Sequence, residues 1–358
     1  MGVGVRLLIK QLRLRLSIAW RGRRLGRFGA IWVVVVVLFA ISPVVAPGSL
    51  GKSALLSMLP FAMILGLASV GQQFVMQQGG LDLSVPGTMS LAAVLVTQIP
   101  DGHDSELGAA VLFVLLVGVL IGVFNGVIVT ILRVTPLVAT LGVNAILYGI
   151  VYEYTGGQLA AAATTNLTSF VSARMLSIPV TVWVVAVLLV LITVLMRWTL
   201  VGRRFELVGS SPPTARAAGF NVIRYRLSAY VIASFWYTVA GILLAGYVTT
   251  PSLTVGDSYL LPTIVAVTLG GTLLGAGTGS AVATVLGALF LQQLDQLVLT
   301  LGATSAVQDI VQAVILVFGM GFRSVQWRSS IERLRGKRGD IGGGQRASQV
   351  AAGRSTSV

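Results

Sequence analysis

Between Val180 and Met196 the chain runs seventeen residues without a charge, a glycine or a proline. A segment apolar on every face has no side to offer water, and this one is too long for an ordinary strand. A helix in hydrocarbon meets that condition, because it satisfies its backbone hydrogen bonds internally. Gly29–Ala46, Leu55–Met76 and Leu107–Leu132 have the same texture. The whole chain is 55% hydrophobic and only 10% charged, with a mean hydropathy of +0.91. A soluble domain carries roughly 25% charged residues to build its polar skin. A membrane β-barrel requires alternating segments of about ten residues, which Ile31–Ala40 and Val180–Met196 do not show. The expected class is an all-α, polytopic membrane protein.

The apolar segments predict about ten transmembrane helices: Gly29–Ala46, Leu55–Met76, Val85–Gln98, Leu107–Leu132, Pro136–Tyr154, Val180–Met196, Leu227–Val248, Leu260–Leu274, Ser280–Leu299 and Val307–Phe322. Thr155–Pro179 is expected to hold an external surface helix or loop. The organisation reads as a basic arm over 1–28, a transmembrane domain over 29–322 with a central cytoplasmic loop over 197–226, and a disordered basic tail over 323–358. The arm is expected to be a surface amphipathic segment or to be disordered. With Phe28–Ala46 it resembles a signal peptide, but its basic region is long. Prolines at 43 and 47 also fall where cleavage would occur, so the segment reads as a retained first helix.

Charge supplies the orientation. Of 25 basic residues, eight lie in Arg6–Arg27, six in Arg197–Arg226 and eight after Gly321. Basic loops stay cytoplasmic. Ten spans with both termini inside place 23 basic residues in the cytoplasm and leave Lys52 and Arg174 outside. The formal charge of +14 therefore faces anionic lipid and gives no case for nucleic acid. Arg197–Arg226 lies between two apolar halves and contains the helix-forming run Thr214–Gly219. It is expected to be where a soluble partner acts on a membrane channel or transporter.

Two predicted spans, Val85–Gln98 and Leu260–Leu274, fall short of the roughly 20 residues of a straight crossing. Each follows a polar break, at Gly79–Gly87 and Leu253–Asp257. If spans two to five and seven to ten are repeats, their opposite starting sides make them inverted repeats, an arrangement known in transporters. In the first break Gly80 allows a turn and Pro86 removes a donor. Asp82 and Ser84 can cap the next helix or contact a solute or gate; the residues leave both open. Gly118, Gly122 and Gly126 form one helix face suited to close packing. Asn125 and Asn144 are polar groups inside spans. Gly270 and Gly271 begin a glycine-rich link without the lysine-serine ending of a phosphate loop.

Glutamines 72, 73, 77, 78, 292, 293 and 296, with Asp295, suggest either a hydrated interior or hydrogen bonds between helices. Asp257, Asp309 and Glu153 are expected at an external mouth, and the single histidine, His103, in a solvated turn. Without cysteine or a histidine cluster there is no expected metal site, cofactor or catalytic set.

At this point the residues resemble a known family. Gly79-Gly80-Leu81-Asp82-Leu83-Ser84-Val85, Asn125-Gly126, Thr135–Gly142, Tyr154–Gly157, Ala215–Val222 and Ala266–Thr272 are similar to the membrane permeases of bacterial ribose/xylose-type ATP-binding-cassette (ABC) importers. The likeness spans residues 55–323. It implies an inner-membrane permease, usually in two copies, working with a cytoplasmic ATPase and an extracytoplasmic sugar-binding protein, and carrying a monosaccharide such as a pentose. ATP hydrolysis then belongs to the partner. The resemblance matches Gly209, Thr214, Ala215, Arg216, Ala217 and Gly219 to the ATPase-coupling region. Gly80, Asp82, Ser84, Pro86, Asn125, Asn144, Gly270 and Gly271 become candidates for translocation or gating. Ser210-Ser211-Pro212-Pro213 and Pro86 depart from the family pattern. A nucleoside or autoinducer permease, an autonomous channel or carrier, and an intramembrane enzyme are the competing readings.

Overall fold

The computed structural model describes residues 28–304, 306–308 and 310–315. The basic arm before Phe28, Asp309, the end of the last expected span and the tail from Arg323 lie outside the described residues. Among the described residues, seven helices are long and apolar enough to cross a bilayer: α1 (Phe28–Val45), α2 (Lys52–Gln77), α4 (Leu107–Thr130, preceded by a 3-10 turn), α5 (Pro136–Thr155), α7 (Val180–Trp198), α10 (Val222–Val248) and α12 (Ala281–Thr300). Three apolar helices are shorter: α3 (Val85–Gln98), α11 (Leu260–Leu269) and α13 (Ala306–Ile315). The protein is an all-α, multi-pass membrane protein.

Burial sorts the long helices into centre and rim. The apolar cores of α2 and α10 are 67% buried, against 17% for α1 and α7. The rim helices present Val33, Val36, Leu112, Leu116, Val187 and Leu191 outward. Such faces suit lipid tails, which exert no hydrophobic penalty on them. The centre is made by close approach. On α4, Gly118 faces Thr238, and a Cβ added at Gly122 would sit 2.6 Å from the Val231 Cα of α10. A Cβ at Gly126 would sit 2.9 Å from Leu227 Cγ. The glycine face is therefore a helix-packing surface.

Thr155–Pro179 contains a short helix, α6 (Thr165–Ser172), started by the Thr164 side chain, and a two-residue strand pair β1 (Arg174–Met175) and β2 (Ile178–Pro179). Leu176 and Ser177 both have positive φ, 54° and 63°, as a tight two-residue hairpin turn demands. This pair is too small to alter the helical class.

Three sequence expectations shift. The central basic stretch holds two helices rather than a loop with one short helix: α8 (Leu200–Ser210) and α9 (Pro212–Ala217) fill most of it. The following span starts at Val222 rather than Leu227, because Asn221 caps it by accepting the Arg224 N–H at 3.2 Å. Arg224 and Arg226 thus belong to α10. The short span after it ends at Leu269 rather than Leu274, where Gly270 and the left-handed Gly271 (φ 97°) turn the chain.

At 1.5 Å per residue, α3 and α11 are about 21 and 15 Å long, and neither spans a core of about 30 Å. Their beginnings meet. The Gly256 N–H donates to Ser90 Oγ at 2.9 Å, and Gly256 packs on the Pro86 carbonyl with no room for a side chain.

Candidate translocation and coupling site

The chain leaves α2 through Gly79, whose φ is +86°, and reaches α3 six residues later, at Val85. Asp82 is fully buried here. Its Oδ1 accepts the Ser84 N–H at 2.9 Å and the Ser84 hydroxyl at 2.6 Å. Ser84 holds the N-cap position of α3, yet its side chain bonds no helical N–H. Of the two expected caps, Asp82 binds the N-cap residue itself, while Ser84 Oγ accepts from Asn125 Nδ2 at 2.8 Å and fastens the break to α4. Pro86 occupies the first turn of α3, where a missing N–H costs nothing.

From α5, Asn144 Oδ1 accepts the Gly87 N–H at 2.7 Å, and Thr140 Oγ1 accepts the Leu83 N–H at 2.9 Å. Orphan donors at a buried helix start are met in this way by side chains of a neighbour. From α2, the Gln72 amide grips the Asp82 main chain. With the orientation that satisfies both of its ends, its nitrogen donates to the Asp82 carbonyl at 3.2 Å and its oxygen accepts the Asp82 N–H at 3.3 Å. The same nitrogen lies 2.7 Å from the Tyr237 hydroxyl of α10. Tyr230 of α10 places its hydroxyl against Gly80.

Gly80, Asp82, Ser84, Pro86, Asn125 and Asn144 therefore share one buried junction. Gly270 and Gly271 do not join it: Gly270 packs on the Ala283–Thr284 backbone of α12, where an added Cβ would lie 2.8 Å from main-chain atoms. Thr140, Gln72 and Tyr230 are members that sequence reasoning did not single out for this role. Asp82 Oδ2, Asn125 Oδ1, Ser234 Oγ and the Tyr230 hydroxyl have no partner among the described residues. Buried polar groups are usually paired, so the junction retains unused hydrogen-bonding capacity.

The glutamines act as fasteners between helices. Gln73 Oε1 accepts the Thr284 hydroxyl at 2.6 Å, Gln293 Nε2 donates to Ser42 Oγ at 3.1 Å, and Gln312 donates to the Asp295 carboxylate at 3.0 and 3.2 Å. Asp257, expected at a mouth, accepts the Tyr148 hydroxyl.

The end of α2 also meets the α11–α12 link and α8. The Gly275 and Gly277 N–H groups donate to the Met76 and Gln77 carbonyls at 2.8 and 3.1 Å, satisfying acceptors that a helix end leaves open. Gln78 Nε2 donates to the Phe205 carbonyl of α8 at 2.9 Å. Phe205 meets Phe74 edge-on, with centroids 5.6 Å apart. Gly209 lies so close that an added Cβ would be 2.7 Å from the Gly277 Cα.

Helix α9 then turns back over α8. Ala215, Val208 and Val222 are buried together with Phe220 and Tyr225 packed against them, and Arg204 lies 5.3 Å from the Phe220 ring centroid. Among the coupling candidates Gly209 and Ala215 are buried, whereas Thr214, Arg216, Ala217 and Gly219 are exposed. A small packed unit with one outward face thus rests on the α2–α3 break and on the α11–α12 link.

Comparison with known proteins places this architecture. Residues 54–320 match the family described as branched-chain amino acid transport system / permease component. The ribose import permease protein RbsC of Bacillus subtilis is 30% identical over 301 residues, covering 83% of this chain and 92% of its own. RbsC of Escherichia coli K12 is 30% identical over 292 residues, covering 80% and 91%. The autoinducer 2 import system permease protein LsrC of Yersinia pestis is 29% identical over 308 residues, covering 86% and 87%. No solved structure matches. The chain belongs to the permease-component family of ABC importers, in its ribose/xylose-type branch, and is a transport subunit rather than an enzyme.

Proposed function

We propose that the protein is the membrane subunit of an importer that moves a monosaccharide, a pentose first among them, across the bacterial inner membrane. A separate cytoplasmic ATPase drives it, a second permease copy completes the pathway and an extracytoplasmic binding protein delivers the solute. The observation that carries this reading is the seat of α8. Its Phe205 carbonyl is bonded to Gln78 at the α2–α3 break, and its Gly209 is packed on Gly277 of the α11–α12 link. Force applied to the exposed face of α9 has a short, packed route to the α2–α3 break and to the α11–α12 link. ATP binding closes the ATPases, α9 transmits the movement, and the α2–α3 junction opens toward the loaded binding protein.

Among the described residues, seven long and three short apolar helices correspond to the ten expected segments, α3 and α11 completing their passages together with the breaks before them; with both termini cytoplasmic the basic segments face inward. The two short helices that start against one another support an inverted-repeat plan, in which broken helices meet near the membrane centre. Similarity to ribose import permeases favours a pentose, and similarity to an autoinducer 2 permease makes that compound the second solute to try. The deciding experiment is uptake into proteoliposomes holding the permease, ATPase and binding protein, with a panel of pentoses, hexoses, nucleosides and autoinducer 2. ATP-dependent uptake of a pentose is expected. Full-rate transport by the permease alone would defeat the proposal.

A further inference from the structure

Three arginines, one from the α4–α5 turn and two from α9 and α10, open onto one cavity. It measures about 690 Å³ and lies between the α4–α5 turn, the α2–α3 break and the start of α10. Arg133, Arg216 and Arg226 line it, and among the described residues no aspartate or glutamate does. Guanidinium groups do not shed their charge, so such a wall holds a positive potential. Two long helices add to it. Thr135 and Pro136 begin α5, Asn221 and Val222 begin α10, and all four line the cavity. Helix beginnings carry partial positive charge and spare N–H groups.

Two further observations point to an occupant. Tyr230 is 2% exposed and lines the cavity, and its hydroxyl has no partner among the described residues. Arg133 has φ 59°, a left-handed conformation that costs a side-chain-bearing residue about 1–2 kcal/mol and glycine almost nothing. An arginine held where glycine fits better is consistent with a side chain in use. Its charged wall offers donors only, which suits an anion better than a neutral alcohol. Guanidinium forks match phosphate oxygens in pairs, and the volume falls in the range that admits a small organic ligand.

We propose that this cavity binds a phosphate-bearing anion, either a soluble phosphate ester or the headgroup of an anionic phospholipid. Arg133, Arg216 and Arg226 supply the charge, and the Tyr230 hydroxyl a further donor. Because Gln78, Gly79 and Gly80 also line it, the anion would tie α9 and α10 to the α2–α3 break. The site does not depend on which solute is imported.

The test uses the full chain in phosphatidylcholine nanodiscs, with thermal unfolding followed by tryptophan fluorescence. Glycerol 3-phosphate is titrated against chloride of equal ionic strength, and a parallel set of discs contains phosphatidylglycerol. Arg133→Gly removes one charge while relieving the backbone, Arg226→Gln removes another, and Arg174→Gln, on the β hairpin, controls for net charge. Stabilisation by glycerol 3-phosphate, weakened about tenfold in apparent affinity by Arg133→Gly or Arg226→Gln but not by Arg174→Gln, supports a soluble ester. The same pattern confined to phosphatidylglycerol discs supports a lipid headgroup. No stabilisation by either probe, or stabilisation equal in all variants, overturns the site.

Discussion

The side-chain amide of Gln78 donates to the main-chain carbonyl of Phe205 at 2.9 Å, joining residues 127 positions apart in a buried contact. It joins the α2–α3 break directly to α8, and it gives the proposed coupling route a point of attack. Gln78→Leu should lower stability by about 1 kcal/mol, the net worth of one hydrogen bond. Uptake should fall by more than ATPase association does. Equal losses in both would show that the bond only supports the fold.

At Asp82 the chemistry separates shape from charge. Asp82→Asn keeps an oxygen for the Ser84 N–H and hydroxyl, which now meet Oδ1 at 2.9 and 2.6 Å. Asp82→Ala leaves both donors buried without an acceptor, at a cost of about 1–3 kcal/mol. Unfolding in detergent should therefore rank wild type and Asp82→Asn together, with Asp82→Ala lower. If Asp82→Asn retains stability but loses ATP-driven uptake, the carboxylate itself takes part in transport.

The α4–α10 seam predicts a sharp positional contrast. A leucine at Gly122 would begin 2.6 Å from the Val231 backbone, whereas an alanine at Gly108 meets nothing within 4 Å. Overpacking costs about 1–3 kcal/mol or more. Gly122→Leu should lower the unfolding midpoint clearly, while Gly108→Ala should leave it in place.

On α9, Arg216 and Ala217 are exposed. Surface substitutions of this kind alter stability by about 0.5 kcal/mol or less. Arg216→Glu with Ala217→Asp should leave the unfolding midpoint unchanged and abolish co-purification with the ATPase. Undiminished association and uptake would remove both residues from the docking face.

Much of the helix plan was written in local sequence. The boundaries of α3 at Val85 and Gln98 follow from the polar Gly-Gly-Leu-Asp-Leu-Ser break before it and the Pro100–Glu106 turn after it. In hydrocarbon a helix satisfies its own backbone, so a long apolar run becomes one with little regard to its neighbours. The sequence also marked Asp82, Ser84, Asn125 and Asn144 as polar groups in costly surroundings. What each bonds depended on contacts between distant helices. Asn144 and Gly87 stand 57 positions apart, and Ser84 and Asn125 stand 41 apart. Glutamine text alone does not distinguish a hydrated lining from a bond between helices; in the fold Gln73 and Gln293 bond across helices, while Gln78 both bonds α8 and lines a cavity. Within Arg197–Arg226 the local sequence marked the helix-forming run that overlaps α9, but not α8, which packs on the end of α2 and on Gly277. Only tertiary structure brought Arg133 to Arg226, since helix packing sets which charges share a wall and no local periodicity encodes it.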